Sequence, residues 1–354
     1  MKISVIGSGN GGQAIAGHMA AIGHDVRLYG RNLSIISQIN AKGKITLTGK
    51  LEMGGPVDAS TNLEDVVKGA EVIMIATTAT AHYDLARQLA PILEYGQVVI
   101  LNTGRTCGAI EFSNGLAELG NTEKVYVAEA QTLVYACRII ENGLINIIGF
   151  KDRVLLASYP ASETMYVIEK LSPMYSCFYA AENVLRTSFE NIGAIFHPAV
   201  VLFNEATIER GLQFYFYRDM TPALANLLEA IDSERIAVAK AYGVDIISAK
   251  DWVSYAYDEV QGDTLCERMR NNPAYYEILA PTTINCRQIT EDIPTGIVPM
   301  SELGKVASVP TPLFDALITM CSTLLQTNFK ECGRNLTKLG WGELSKEEIL
   351  NVIH

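Results

Sequence analysis

An α/β domain built on a doubly wound, mainly parallel sheet, followed by a mainly α-helical domain, is the fold class that this sequence predicts. Three observations predict it. A β-branched run, Lys2–Ile6, ends in a glycine cluster and passes into a helical pattern as far as Ile22, which reads as strand, turn, helix. Further short apolar runs then alternate with helical stretches through the first half, the pattern of parallel strands joined by crossover helices. Beyond Arg186 the apolar spacing changes to long helical periods with almost no strand signal.

With 354 residues the chain exceeds the roughly 100 to 200 of a single domain, so two cores are expected. After the first strand and its turn, a second strand at 24–29 completes a βαβ unit, which closes with a right-handed crossover. Strands are also expected at 72–76, 97–101, 125–128, 146–149 and 154–158, with a helix at 83–90 among them. The apolar run 177–181 ends the series, giving expected domains of 1–184, the dinucleotide-binding part argued below, and 185–354. In the second, helical periods run over 188–211, 222–242 and 312–329, and the Pro and Gly cluster at 292–312 reads as a long ordered loop.

Lys plus Arg number 28 against 39 Asp plus Glu, a formal charge of -11, which is the wrong sign for a nucleic-acid partner. An anionic ligand would need a local Arg or a helix N-terminus to hold it. The seven Cys form no Cys-x-x-Cys pair and have no His at ligand spacing, so no metal site is expected and a reduced compartment is. The chain opens without the basic stretch and apolar core of a signal peptide, and no apolar span approaches about 18 residues. A cytoplasmic protein without membrane association is expected. The apolar stripes of the helical half make a homodimer the expected assembly.

Gly7-Ser8-Gly9-Asn10-Gly11-Gly12 supplies Gly-x-Gly-x-x-Gly between a predicted strand and a predicted helix, the context that a dinucleotide-binding Rossmann fingerprint requires. Gly7 permits the tight turn, Gly9 the approach of a pyrophosphate, and Gly12 the close packing of helix on strand; the helix N-terminus offers free N–H groups. A structural turn and a FAD site are the alternatives. Where NAD sites carry an acid to hold the ribose, this chain reads Tyr29-Gly30-Arg31-Asn32. With no carboxylate there, and with Arg31 able to pair with a 2′-phosphate, NADP is the expected cofactor and NAD the alternative. Thr77, Thr78 and Asn102 follow predicted strands at the rim where ligands bind, though each could equally cap a helix or form a turn.

Of five His residues only His197 lies within the helical half. At 100° per residue it shares a face with Glu190, Gly193 and Asn204, away from the apolar stripe of Ile192, Ile195, Phe196, Ala199 and Phe203. Pro198 follows and frees the carbonyl of Ala194. A lone His is more often structural than catalytic, so these features alone favour a structural His197 and leave catalysis as the alternative. The segment 287–296 joins Arg287 to Glu291 and Asp292: an Arg can clamp a carboxylate and an Asp can orient an imidazole, or the segment is an acidic helix start with a surface Arg.

GSGNGG, LNTGRTCGAIEF, AEAQTLVYACR, ENIGAIFHPAVVLFN and RQITEDIPTGIVPMSELGKVASVPTP together resemble the opine dehydrogenase family over almost the whole chain, the last two blocks being the specific ones. Ketopantoate reductases and glycerol-3-phosphate dehydrogenases share the two-domain plan but are not expected to carry the HPA and EDIPTG blocks together. The resemblance implies reductive condensation of an α-keto acid, such as pyruvate, with the amino group of an amino acid. It implies His197 as proton donor and acceptor, Asp292 as its partner and Arg287 as a carboxylate-binding residue. Asn191, Gln131 and Thr132 fall in matching blocks and are candidates to line the substrate cleft. A single-substrate reductase of the ketopantoate type and a non-catalytic dinucleotide sensor are the competing expectations.

Overall fold

The computed structural model describes residues 1–121, 124–256 and 260–354 and divides into two compact units, Met1–Ser188 with Asn351–His354, and Phe189–Leu350. The strands are β1 (Lys2–Ile6), β2 (Asp25–Tyr29), β3 (Lys44–Gly49), β4 (Met53–Pro56), β5 (Asp58–Ser60), β6 (Val72–Ile75), β7 (Val98–Leu101), β8 (Tyr126–Ala130), β9 (Tyr135–Glu141), β10 (Leu144–Phe150), β11 (Val154–Tyr159) and β12 (Phe178–Ala180). Among the described residues, eight of them form one sheet in the order β12-β11-β8-β7-β6-β1-β2-β5. Every pairing in it is parallel except that of β8 with β11. β6 and β7 are buried along their whole length, which is why both read as unbroken apolar runs rather than alternating ones. The chain runs outward from β1 to β2 on one side and returns to β6 on the other. The switch point therefore lies between β1 and β6, where ligands of open α/β sheets bind.

The helices of this unit are α1 (Asn10–Ala21), α2 (Leu33–Lys42), α3 (Leu63–Val67), α4 (His82–Leu89), α5 (Gly108–Glu118) and α6 (Thr164–Leu171). A second sheet, β4-β3-β10-β9, has no counterpart in the sequence reading. The strand expected at 146–149 belongs to it, not to the main sheet, and β3, β4 and β9 went unread. It lies directly on α1: a Cβ on Gly17 would sit 2.8 Å from Ile45 Cγ2, and one on Gly55 only 2.4 Å from the Ala20 carbonyl carbon. Small residues on both partners are what let helix and sheet touch.

The same helix carries a buried polar chain, in which His18 Nδ1 is 2.7 Å from Tyr135 Oη and Tyr135 Oη is 2.7 Å from Tyr175 Oη. Burial holds the His18 imidazole below its ordinary value of 6.5. The unfolded chain therefore takes up this proton first as the pH falls. Stability is full above the unfolded value and declines below it, towards the lowered folded one. Replacing His18 with Gln, which cannot titrate, should flatten the loss of urea midpoint between about pH 7.5 and about pH 5.5. An unchanged slope would place the acid sensitivity elsewhere.

Among the described residues the rest of the chain is mainly helical: α7 (Val184–Phe189), α8 (Ile192–Leu202), α9 (Glu205–Glu209), α10 (Pro222–Ala241), α11 (Ala249–Ala256), α12 (Leu265–Asn271), α13 (Arg287–Thr290), α14 (Val298–Val306), α15 (Pro312–Leu324), α16 (Phe329–Cys332) and α17 (Lys346–Ile353). α10 starts where Thr221 caps it, the hydroxyl accepting from Leu224 N at 3.3 Å, with proline in the first turn. Its Arg235, fully buried, donates to Asp232 Oδ1 at 2.7 Å, Phe189 O at 2.6 Å and Ile247 O at 2.8 Å. The helix expected over 188–211 is broken into α7, α8 and α9. The loop expected at 292–312 is instead a π-helical turn, Ile293–Ile297, running straight into α14. Pro294 stands in the first turn of the π-helical stretch and Pro299 where that stretch passes into α14, and the fixed φ of each suits a helical backbone.

Candidate active site

In the first unit the fingerprint loop leaves β1 at the switch point. Gly7 has φ +119°, and a Cβ there would lie 2.6 Å from Ala76 O; a Cβ on Gly12 would lie 1.6 Å from Gly7 O. Both positions are closed to any side chain. Gly9 differs, because a Cβ there would meet nothing within 4 Å. It occupies the N-cap of α1, whose first turn holds no acid and receives no side-chain cap, so the N–H groups and the positive dipole end face open space. Gln13 Nε2 holds Ser8 O at 2.8 Å, and Asn10 Oδ1 accepts from Ile139 N at 2.8 Å, which fixes the loop from two sides. Gly11 faces Leu133, whose Cδ2 would be 3.1 Å from a Cβ.

Thr77, just past β6 and beside Gly7, has a buried hydroxyl with no hydrogen-bond partner. A turn that is open over Gly9, next to an orphaned hydroxyl, fits a dinucleotide pyrophosphate. At the end of β2, Arg31 is exposed. Asn32 is the cap of α2, its Oδ1 accepting from Ser34 N at 3.0 Å and Ile35 N at 3.3 Å. Asn102 is buried and donates to Ile100 O at 3.1 Å. Gln131 extends the pairing of β8 with β11: its N donates to Leu155 O and its Oε1 accepts from Leu155 N.

In the second unit α8 presents His197 to the residue that precedes the π-helical turn. His197 Nδ1 is 2.7 Å from Asp292 Oδ2; the Asp292 side chain is 2% exposed and that of His197 25%. A buried carboxylate that accepts at Nδ1 fixes the proton there and leaves Nε2 as the acceptor. Nε2 lies 3.0 Å from Tyr217 Oη. Close backbone packing sets this register, since a Cβ on Gly296 would be 2.5 Å from Ala194 Cβ and 3.1 Å from Asn191 Nδ2. Asn191 is buried at the N-cap of α8. Arg287 is largely exposed and pairs along one edge with Glu291 Oε2, Nε at 2.9 Å and Nη2 at 2.6 Å.

Tyr217 is the functional candidate that the sequence reading missed. It belongs to an irregular stretch between α9 and α10, and its ring is buried, stacked on Tyr275 at 4.1 Å and edge-on to Phe216 at 4.8 Å. The available signal was the aromatic run at 214–217, dense in a segment without helical period. Among the described residues no group of His, Cys, Asp and Glu could hold a metal ion, and no helix is long and apolar enough to cross a membrane.

Residues 180–325 match the family model described as the NAD/NADP octopine/nopaline dehydrogenase alpha-helical domain, and residues 2–118 match that of the NAD-dependent glycerol-3-phosphate dehydrogenase N-terminus. An opine dehydrogenase of Arthrobacter sp. (strain 1C) is 35% identical over 354 residues, covering 99% of this chain and 98% of the relative. The fold matches an octopine dehydrogenase solved with NADH and L-arginine, with a TM-score of 0.83 at 21% identity over 99% of this chain and 98% of that one. It also matches a yersinopine dehydrogenase with NADP+ bound, with a TM-score of 0.73 at 16% identity over 100% and 97%. The expected fold class, an α/β dinucleotide-binding domain followed by a helical one, is borne out. The chain belongs to the opine dehydrogenase family and is an NAD(P)-dependent oxidoreductase acting on CH–NH donors.

Proposed function

We propose that the enzyme condenses an α-keto acid, such as pyruvate, with the amino group of an amino acid and reduces the product, with His197 as acid and base and Asp292 as its partner. The observation that carries this reading is the 2.7 Å bond between His197 Nδ1 and the buried Asp292 carboxylate. An amine must lose a proton to attack a keto carbon, and the hydroxyl formed there must gain one to leave as water. A partly exposed imidazole that accepts at one nitrogen and is braced at the other can serve both steps. Asp292 holds the tautomer and stabilises the imidazolium when the proton arrives. Arg287 has five N–H donors and gives Glu291 only part of them, so it can also hold a substrate carboxylate. The loop Gly7 to Gly12 with Thr77 would hold the dinucleotide, which when bound supplies the hydride for the imine carbon.

For the cofactor, NADP is the proposed preference and NAD the alternative. The support is the exposed Arg31 just past β2, in a stretch, residues 29–32, that holds no Asp or Glu. Replacing Arg31 with Ala should raise the KM for NADPH by about tenfold, the loss of one charge-assisted contact, and leave that for NADH within about twofold. Equal effects on both would remove Arg31 from the choice.

The experiment for the function is a matrix of keto acids against amino acids with each cofactor. Oxidation only where both substrates are present is the expected result. Oxidation with keto acid alone would favour a single-substrate reductase of the ketopantoate type, and none anywhere would favour a sensor.

A further inference from the structure

Both ring nitrogens of His197 are hydrogen bonded, Nδ1 to Asp292 and Nε2 to Tyr217 Oη at 3.0 Å. An imidazole has no third position at which a proton can enter or leave. Asp292, 1% exposed, closes one side. Whatever exchanges a proton with this ring must therefore meet it through the Tyr217 hydroxyl or push that hydroxyl aside. The phenol is not placed to swing away. Its ring is 7% exposed, lies flat on Tyr275 and meets Phe216 edge-on, and Phe216 in turn stands edge-on to His197 at 5.9 Å. Displacing Tyr217 would break a stack that also walls the imidazole.

On the reading of His197 as acid and base, we infer that Tyr217 Oη is the atom that exchanges the proton with the substrate nitrogen, and that His197 acts one bond behind it. With Nδ1 protonated, the phenol donates to Nε2, and its oxygen is also an acceptor. The substrate N–H bond breaks as an O–H bond forms at Oη, while the original Oη–H bond breaks and an Nε2–H bond forms. Tyr217 ends neutral, His197 ends as imidazolium against the Asp292 carboxylate, and the nitrogen keeps the electron pair with which it attacks the keto carbon. The reverse shuttle serves the departing hydroxyl: the C–O bond breaks with its electrons on oxygen, which takes the proton from Oη and leaves as water. A phenol suits this task because it gives up one proton only as it receives another, and so never carries net charge in a buried place.

Tyr217→Phe tests this, because it removes one oxygen and keeps the ring on Tyr275. Turnover with both substrates should fall on the order of 10²-fold, the worth of one positioned proton-transfer group, with KM for the amine donor within about twofold. In mixtures of light and heavy water, the wild-type rate plotted against deuterium fraction should curve, since two protons move together, and the plot for Tyr217→Phe should be straight. Turnover of the variant within about twofold of wild type, or a straight wild-type plot, overturns the inference. The wild-type plot decides the matter even if the variant does not fold. His197→Ala separates this inference from the reading beneath it. If that variant is inactive while Tyr217→Phe is active, only the relay fails; if His197→Ala is active, the acid–base assignment fails with it.

Discussion

Asp292→Asn should lower turnover by about three to four orders of magnitude and leave dinucleotide affinity within about twofold, the pattern of a buried Asp that fixes an imidazole tautomer. The amide is the same size, so the packing around α8 and the π-helical turn survives. What changes is the proton. The carboxylate can only accept, which forces the hydrogen onto Nδ1; an amide can offer its own N–H to Nδ1 instead and move the ring hydrogen to Nε2. In that tautomer Nε2 has no lone pair for an incoming proton, and no negative charge offsets the imidazolium. Steady-state rates with keto acid and amine, together with NADPH binding by fluorescence titration, measure the two effects separately. A loss below about tenfold would reduce Asp292 to a packing residue, because an isosteric change that spares catalysis has shown the charge and tautomer to be idle.

What the sequence disclosed of this molecule follows from the range of the interactions concerned. The fingerprint loop was legible because a decisive constraint in it is local: the Gly7 carbonyl excludes any side chain on Gly12, five residues on. β6 and β7 were legible because strands buried on both faces are apolar throughout. The second sheet was not, since Thr46 pairs with Leu144 and only the folded chain brings those residues together. The region 292–312 was misread for a different reason. Pro294 and Pro299 look like breakers along a sequence, yet one opens the π-helical turn and the other lies where that turn passes into α14. Nothing in the spacing of His197 and Asp292, 95 residues apart, indicates a bond; the pairing came from the resemblance alone. Tyr217 had only the aromatic run at 214–217 to mark it, and its place depends on a stack with Tyr275 from another part of the chain.

Gly12→Ala and Gly9→Ala, each one methyl, should differ sharply in their consequences for folding. At Gly12 the new carbon would stand 1.6 Å from Gly7 O, a backbone atom with no rotamer to change. α1 must lift off β1 or the turn must open, and overpacking of this kind costs about 1 to 3 kcal/mol or more. Because the N–H groups of α1 would move with the helix, NADPH affinity should also fall by about 100-fold or be lost, as the loss of two charge-assisted contacts of roughly 1.5 kcal/mol each would give. At Gly9 the methyl meets nothing within 4 Å, and the backbone, at φ -82°, suits alanine. The melting temperature should stay within about 2 °C. Dinucleotide affinity should nevertheless drop about tenfold, because the methyl fills the space through which a pyrophosphate reaches the helix end. Thermal melts with and without NADPH report both effects on the same samples. Wild-type affinity in Gly9→Ala would mean that the phosphates do not pass over Gly9, and the open N-terminus of α1 would need another occupant.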